Sequence, residues 1–151
     1  MIIFLASDHA GFALKRKIVE YLQKEGLEVV DKGPSEYVEE DDYPDFISLA
    51  AQEVAKNSTE NKGIIIGGTG QGEAIVANRF KGVRAMVYYG GALDIIKISR
   101  EHNDSNMLSV GARFVPENEA LKAIDLWLQT PFSNEERHVR RIKKIDLYPT
   151  E

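Results

Sequence analysis

The sequence predicts an α/β fold: a three-layer, Rossmann-like open sheet of five parallel strands in the order 2-1-3-4-5, in a single domain over residues 1–151. Two observations carry this. Short apolar runs recur at Ile2–Ala6, Glu28–Asp31, Gly63–Ile66, Arg84–Tyr88 and Met107–Val110, with longer amphipathic stretches between them, which is the spacing of parallel strands joined by helices. A chain of 151 residues, 43% hydrophobic and 28% charged, also has the balance of one folded core rather than of a disordered tail.

The run Met1–Ala6 is too short for a signal peptide and has no basic segment before it, so it reads as the first strand. The first helix places Leu14, Ile18, Tyr21 and Leu22 on one face and Lys15, Arg16, Lys17 and Lys24 toward solvent, and Gly26 ends it. Between Asp31 and Tyr43 come Gly33, Pro34 and the acids Glu39 to Asp42, the composition of a solvated loop rather than of a metal site. Further helices are expected over Pro44–Lys56, Gly72–Phe80, Ala92–Glu101 and Glu117–Gln129. Ser133 with Glu136 forms a capping-box signature for a last helix reaching about Leu147. Its stripe of Val139, Ile142 and Ile145 must cover either its own sheet or a partner chain.

A net charge of −5 argues against a broad nucleic-acid or anionic-membrane surface, and no stretch approaches the roughly 20 apolar residues of a membrane span. With no cysteine, thiol nucleophiles and thiolate metal sites are removed, which fits a reducing, cytoplasmic setting. Carboxylate, imidazole and hydroxyl remain as the catalytic repertoire.

The strongest local feature is Gly67-Gly68-Thr69-Gly70-Gln71-Gly72-Glu73, lying between a strand and a helix. Bare backbone N–H groups and a helix N-terminus can cradle an anion there, but the loop lacks the lysine of an NTPase P-loop. The topology opens its ligand crevice between strands 1 and 3, where Asp8 and His9 meet the glycine loop. Asp8 could equally cap the first helix, and Glu73 could simply complement its helix dipole. The three histidines are His9, His102 and His138. Arg137, Arg141 and Lys144 share one face of the last helix, either a solvated basic face or a grip for phosphate.

Ser7-Asp8-His9-Ala10-Gly11, the Gly67–Glu73 loop, Ala77-Asn78-Arg79, Glu101-His102-Asn103-Asp104, Gly111-Ala112-Arg113 and Arg137-His138-Val139-Arg140-Arg141 together resemble the type B ribose-5-phosphate isomerase family, which includes galactose-6-phosphate isomerase subunits. The resemblance runs from Met1 to about Ile145. It implies a homodimer, sometimes paired into a tetramer, with active sites shared between two chains and the last helix at the interface. It also implies that His102 assists ring opening, that Asp8 contacts sugar hydroxyls, and that His9, Arg113, Arg137, His138 and Arg141 surround the phosphate. Many members carry a cysteine base where this chain has Gly67; another branch has glycine there and a glutamate at the position of Glu73, which makes Glu73 the expected base.

The expected reaction interconverts ribose 5-phosphate and ribulose 5-phosphate through a cis-enediolate. Glu73, His102 and Thr69 are the catalytic candidates. Substrate would be held by Asp8, His9, Gly68, Gly70, Gln71, Gly72, Asn103, Arg113, Arg137, His138 and Arg141, with no metal or other cofactor. The backbone N–H groups of Gly70 to Gly72, with the Thr69 hydroxyl, would stabilise the enediolate oxygen. Isomerisation of a hexose 6-phosphate, such as galactose or allose 6-phosphate, and a non-catalytic sugar-phosphate binding module are the alternatives.

Overall fold

The computed structural model describes residues 1–148. Strands β1 (Ile3–Ser7), β2 (Val29–Asp31), β3 (Lys62–Gly67), β4 (Ala85–Tyr88) and β5 (Met107–Gly111) alternate with α1 (Phe12–Lys24), α2 (Tyr43–Lys56), α3 (Gln71–Ala77) and α4 (Asp94–Asn103). Helices α5 (Glu117–Gln129) and α6 (Glu136–Ile145) follow β5. Every strand pair is parallel.

Successive strand residues face opposite layers, as the two-residue period requires. Ile3, Leu5, Ile64, Ile66, Leu108 and Val110 pack with Ile18 and Leu22 of α1, Ile96 of α4 and Trp127 of α5. Phe4, Ala6, Ile65 and Met107 pack with Ile47, Ala50, Ala51 and Val54 of α2 and Ala77 of α3. Each large apolar side chain so buried contributes about 1.5–3 kcal/mol.

The strand order is β2-β1-β3-β5-β4, which corrects the expected 2-1-3-4-5. All five residues of β5 are buried, whereas three of the four in β4 are only half-buried, so β5 takes the inner position. The outer edge of β4 is stopped by Asn78, whose side chain donates to the Ala85 carbonyl at 3.0 Å and accepts the Ala85 N–H at 2.8 Å. The exchange matters for the site. With β5 next to β3, Arg113 emerges one strand away from the glycine loop; in the expected order it would lie about 4.8 Å farther along the sheet.

Other expectations also change. Lys15 is fully buried, not solvated: its ammonium bonds both oxygens of Asp31 at 2.7 and 2.8 Å and the Pro34 carbonyl at 2.8 Å, pinning α1 to the loop after β2. The expected capping box at Ser133 does not form. Asn134 adopts a left-handed φ of 56°, which delays the helix, and Glu135 becomes the N-cap. Glu136 instead pairs with Arg140 at 2.9 Å. Helix α4 starts at Asp94 rather than Ala92, after Gly90 and Gly91 at φ 101° and 94°, and α3 stops at Ala77, short of Phe80.

Helix α6 leans on α4 without covering the sheet. Its one buried residue is His138; Val139 and Ile142 are half-buried and Ile145 is 51% exposed.

Candidate active site

Loop 67–70 is shaped by its contact with β5. Ala112 donates its N–H to the Gly67 carbonyl at 2.8 Å, Arg113 to that of Gly68 at 3.1 Å, and the Ser109 hydroxyl to that of Gly70 at 2.6 Å. Gly70 takes a left-handed φ of 78° and begins α3. The absence of a side chain at Gly67 then becomes decisive: the space its Cβ would occupy is filled by the Glu73 carboxyl. Glu73 is 4% exposed despite standing in the first turn of α3.

Burial pushes the Glu73 carboxyl above the usual carboxylate range, and the nearby charge of Asp8 adds to that. The backbone N–H groups of Glu73 and Gly70 pull the other way without reversing the shift. A raised carboxyl is a stronger base once ionised, so burial outweighs the dipole effect expected from sequence.

A cavity of about 270 Å³ opens beside it, lined by Asp8, His9, Tyr43, Gly68, Thr69, Gly72, Glu73 and Arg113. Asp8 is buried and uses one oxygen to accept the Gly11 N–H at 3.1 Å, so it both shapes the entry to α1 and faces the cavity. Thr69 accepts the Gln71 N–H at 3.2 Å, which leaves its hydroxyl proton free to donate. Of the donors expected for the enediolate oxygen, Gln71 is thus engaged and the Gly70 N–H acts on Glu73; Gly72 and the Thr69 hydroxyl face the cavity. Gln71 itself is exposed and does not line it.

The acidic loop is not simply solvated. Asp41 turns inward with its side chain 6% exposed, accepting the His9 N–H at 3.0 Å and bonding His9 Nδ1 at 2.8 Å. Asp8, His9 and Asp41 each bring one donor atom of metal-ligand type within 4.8 Å of the others. Two of the three residues, His9 and Asp41, are already hydrogen-bonded to each other, so the cluster is a histidine–carboxylate pair beside Asp8 as it stands.

The remaining expected residues form a second cluster. His102 and Asn103 end α4, and the His138 ring stacks on His102 with centroids 4.3 Å apart and planes 16° from parallel. Burial, then the neighbouring His102, lowers the pKa of His138, which favours its neutral form. Arg137 and Arg141 are exposed on α6. Because α4 returns the chain to the start of β5, this cluster lies at the amino ends of the strands, whereas the cavity lies at their carboxyl ends. Five residues of β5, about 16 Å of strand, separate the two levels within one chain.

Tyr43 and Asp41 were not anticipated. Tyr43 had a local signal, an aromatic residue at the start of α2 directly before Pro44. Asp41 had none, since its partner is 32 residues away. A larger cavity of about 320 Å³ is lined by Asn78, Arg84, Met86, Asn103 and Ile145 among others, none of them a carboxylate or imidazole, and so offers no group for proton transfer.

A buried carboxyl, a glycine loop and an arginine converging at the carboxyl ends of parallel strands define a small-molecule enzyme of the open α/β class. Residues 3–145 match the Ribose/Galactose Isomerase family. The probable ribose-5-phosphate isomerase B of Mycoplasma genitalium is 42% identical over 149 residues, covering 99% of this chain and 96% of that protein. The crystal structure of ribose-5-phosphate isomerase B from Mycoplasma genitalium with bound ribulose-5-phosphate superposes with a TM-score of 0.93 at 42% identity, over 97% of this chain and 95% of that one. Ribose-5-phosphate isomerase B of Clostridium thermocellum gives 0.90 at 41% identity, over 97% and 96%. This chain belongs to the Ribose/Galactose Isomerase family.

Proposed function

We propose that this chain interconverts ribose 5-phosphate and ribulose 5-phosphate by proton transfer through a cis-enediolate, with Glu73 as the base. The observation that carries the assignment is the Glu73 carboxyl, buried in the space left by Gly67, raised in pKa and set beside the cavity. Glu73 removes the proton from C2 and returns it to C1, while Thr69 and the Gly72 N–H stabilise the enediolate oxygen. Asp8 holds sugar hydroxyls, and His9 and Arg113 hold the phosphate. The choice of a pentose follows the relatives, since the Mycoplasma genitalium enzyme was crystallised with ribulose-5-phosphate.

The working unit is a homodimer in the cytoplasm. Each site joins the cavity of one chain to His102, Asn103, Arg137, His138 and Arg141 of the other. Two features support this: the two clusters stand at opposite ends of the strands, and Ile75, Tyr89, Ile95, Ile98, Phe114 and Ile145 leave apolar surface exposed. His102 then moves the proton that opens the furanose ring.

Proton NMR with ribose 5-phosphate in heavy water tests the reading. The parent should lose the C2 proton and accumulate ribulose 5-phosphate, and Glu73→Gln should do neither. Turnover by Glu73→Gln at the parent's rate would remove Glu73 as the base.

A further inference from the structure

Glu39, Glu40, Asp41 and Asp42 stand together in the sequence, yet Asp41 alone turns inward; its three neighbours are exposed. A carboxylate buried to 6% exposure needs partners, and Asp41 Oδ1 takes both from a single residue. It accepts the backbone N–H of His9 at 3.0 Å and lies 2.8 Å from His9 Nδ1. An ionised carboxylate can only accept, so Nδ1 must carry the proton of that bond. Nε2 is then the nitrogen left for a ligand. Tyr37 meets the His9 ring edge to face at 6.5 Å and 82°, restraining it further, while the ring keeps 27% exposure and lines the cavity.

We propose that Asp41 is a positioning residue for ligand binding: it fixes His9 in the Nδ1–H form, orients the ring, and so determines what Nε2 presents to the phosphate of the substrate. This rests on the proposed function, in which His9 contacts that phosphate. Nε2 meets the phosphate with the Asp41 carboxyl behind Nδ1, so Asp41 sets both the direction and the hydrogen-bonding character of that contact. The arrangement parallels the carboxylate–histidine pairs that orient metal-binding imidazoles, with phosphate in place of the metal.

The test compares the parent with Asp41→Ala and Asp41→Asn. Asn can still accept from both His9 donors but carries no charge. Nitrogen-15 NMR of the free proteins should show His9 protonated at Nδ1 in the parent and Asp41→Asn, and a shift toward Nε2–H in Asp41→Ala. With ribose 5-phosphate, Asp41→Ala should raise KM roughly tenfold or more while lowering kcat far less, and should weaken competitive inhibition by inorganic phosphate by a similar factor. Asp41→Asn should fall between. In a His9→Asn background, Asp41→Ala should have no further effect on KM. Unchanged His9 spectra in Asp41→Ala, or an additive loss in the His9→Asn background, would overturn the proposal. The NMR measurement needs no turnover, so failure of the isomerase reading and failure of this one are distinguishable.

Discussion

Replacing Gly67 by alanine puts a methyl group where the Glu73 carboxyl now lies. The backbone permits it, since Gly67 is not among the glycines with positive φ. The obstacle is contact: a Cβ at this position would meet Glu73 Oε1, Cδ and Oε2, the last at 2.5 Å. Restoring ordinary separation of about 3.5 Å moves that oxygen by about 1 Å, and the nearer Oε1 and Cδ by more, so the carboxyl as a whole shifts by at least about 1 Å. Overpacking of this kind costs about 1–3 kcal/mol, and a base displaced by about 1 Å loses on the order of a hundredfold in rate. Gly67→Ala should therefore fold, melt a few degrees lower, and lose about two orders of magnitude in kcat for ribose 5-phosphate. The control is Glu73→Ala, which vacates the space; in that background Gly67→Ala should cost less than about 1 kcal/mol, giving a strong coupling in a double-mutant cycle. Parental kcat in Gly67→Ala, or equal destabilisation in both backgrounds, would refute the steric account of why glycine and glutamate occur together here.

Because Glu73 is held above its unfolded value of 4.5, its stabilising contribution is complete below pH 4.5 and is lost as pH rises through its folded value. Glu73→Gln should accordingly be inactive yet more stable than the parent at neutral pH, an advantage that disappears in acid melts, while the parent's kcat/KM should fall with acid at a pH above 4.5. Lys62 is pushed down to about 8 from 10.5, first by burial and then by Arg100. The unfolded chain therefore binds more protons between those values and stability should climb with pH across that window; Lys62→Met should raise the melting temperature at pH 7 and lose that gain by pH 10.5. Mixing inactive Glu73→Gln chains with inactive His102→Asn chains should restore turnover, because a heterodimer assembles one site with both groups intact; no recovery after subunit exchange verified by mass would exclude the shared site.

Local pattern made most of the scaffold legible. The apolar runs mark all five strands to within about two residues, and the glycine loop falls where β3 meets α3. What escaped was set by partners distant in sequence. Lys15 reads as solvated on a helical wheel, because its carboxylate partner Asp31 lies 16 residues away on another element. Asp41 reads as one of four solvated acids until the loop folds back onto His9. The exchange of β4 and β5 depends on which strand can be covered on both faces, and that depends on how Asn78 and Ser109 are used, which neither strand's pattern records.

The shared site proposed above has an electrostatic rationale. Around the cavity stand three carboxyl groups, Asp8, Asp41 and Glu73, against His9 and Arg113. As the proposed base, Glu73 must ionise to act, and the substrate of the proposed reaction would bring a phosphate and then an enediolate into the same space. In a setting shielded from water such accumulation is costly, because the effective dielectric constant there is far below that of bulk solvent. The missing positive charge stands on α6, where Arg137 and Arg141 are exposed and His138, being favoured neutral, adds little to their mutual repulsion. In the proposed dimer, α6 of a second chain over the cavity would supply two guanidinium groups to the substrate phosphate. On that proposal substrate binding and dimerisation share one electrostatic cause, and a variant that cannot dimerise should bind ribose 5-phosphate far more weakly than the parent in titration calorimetry.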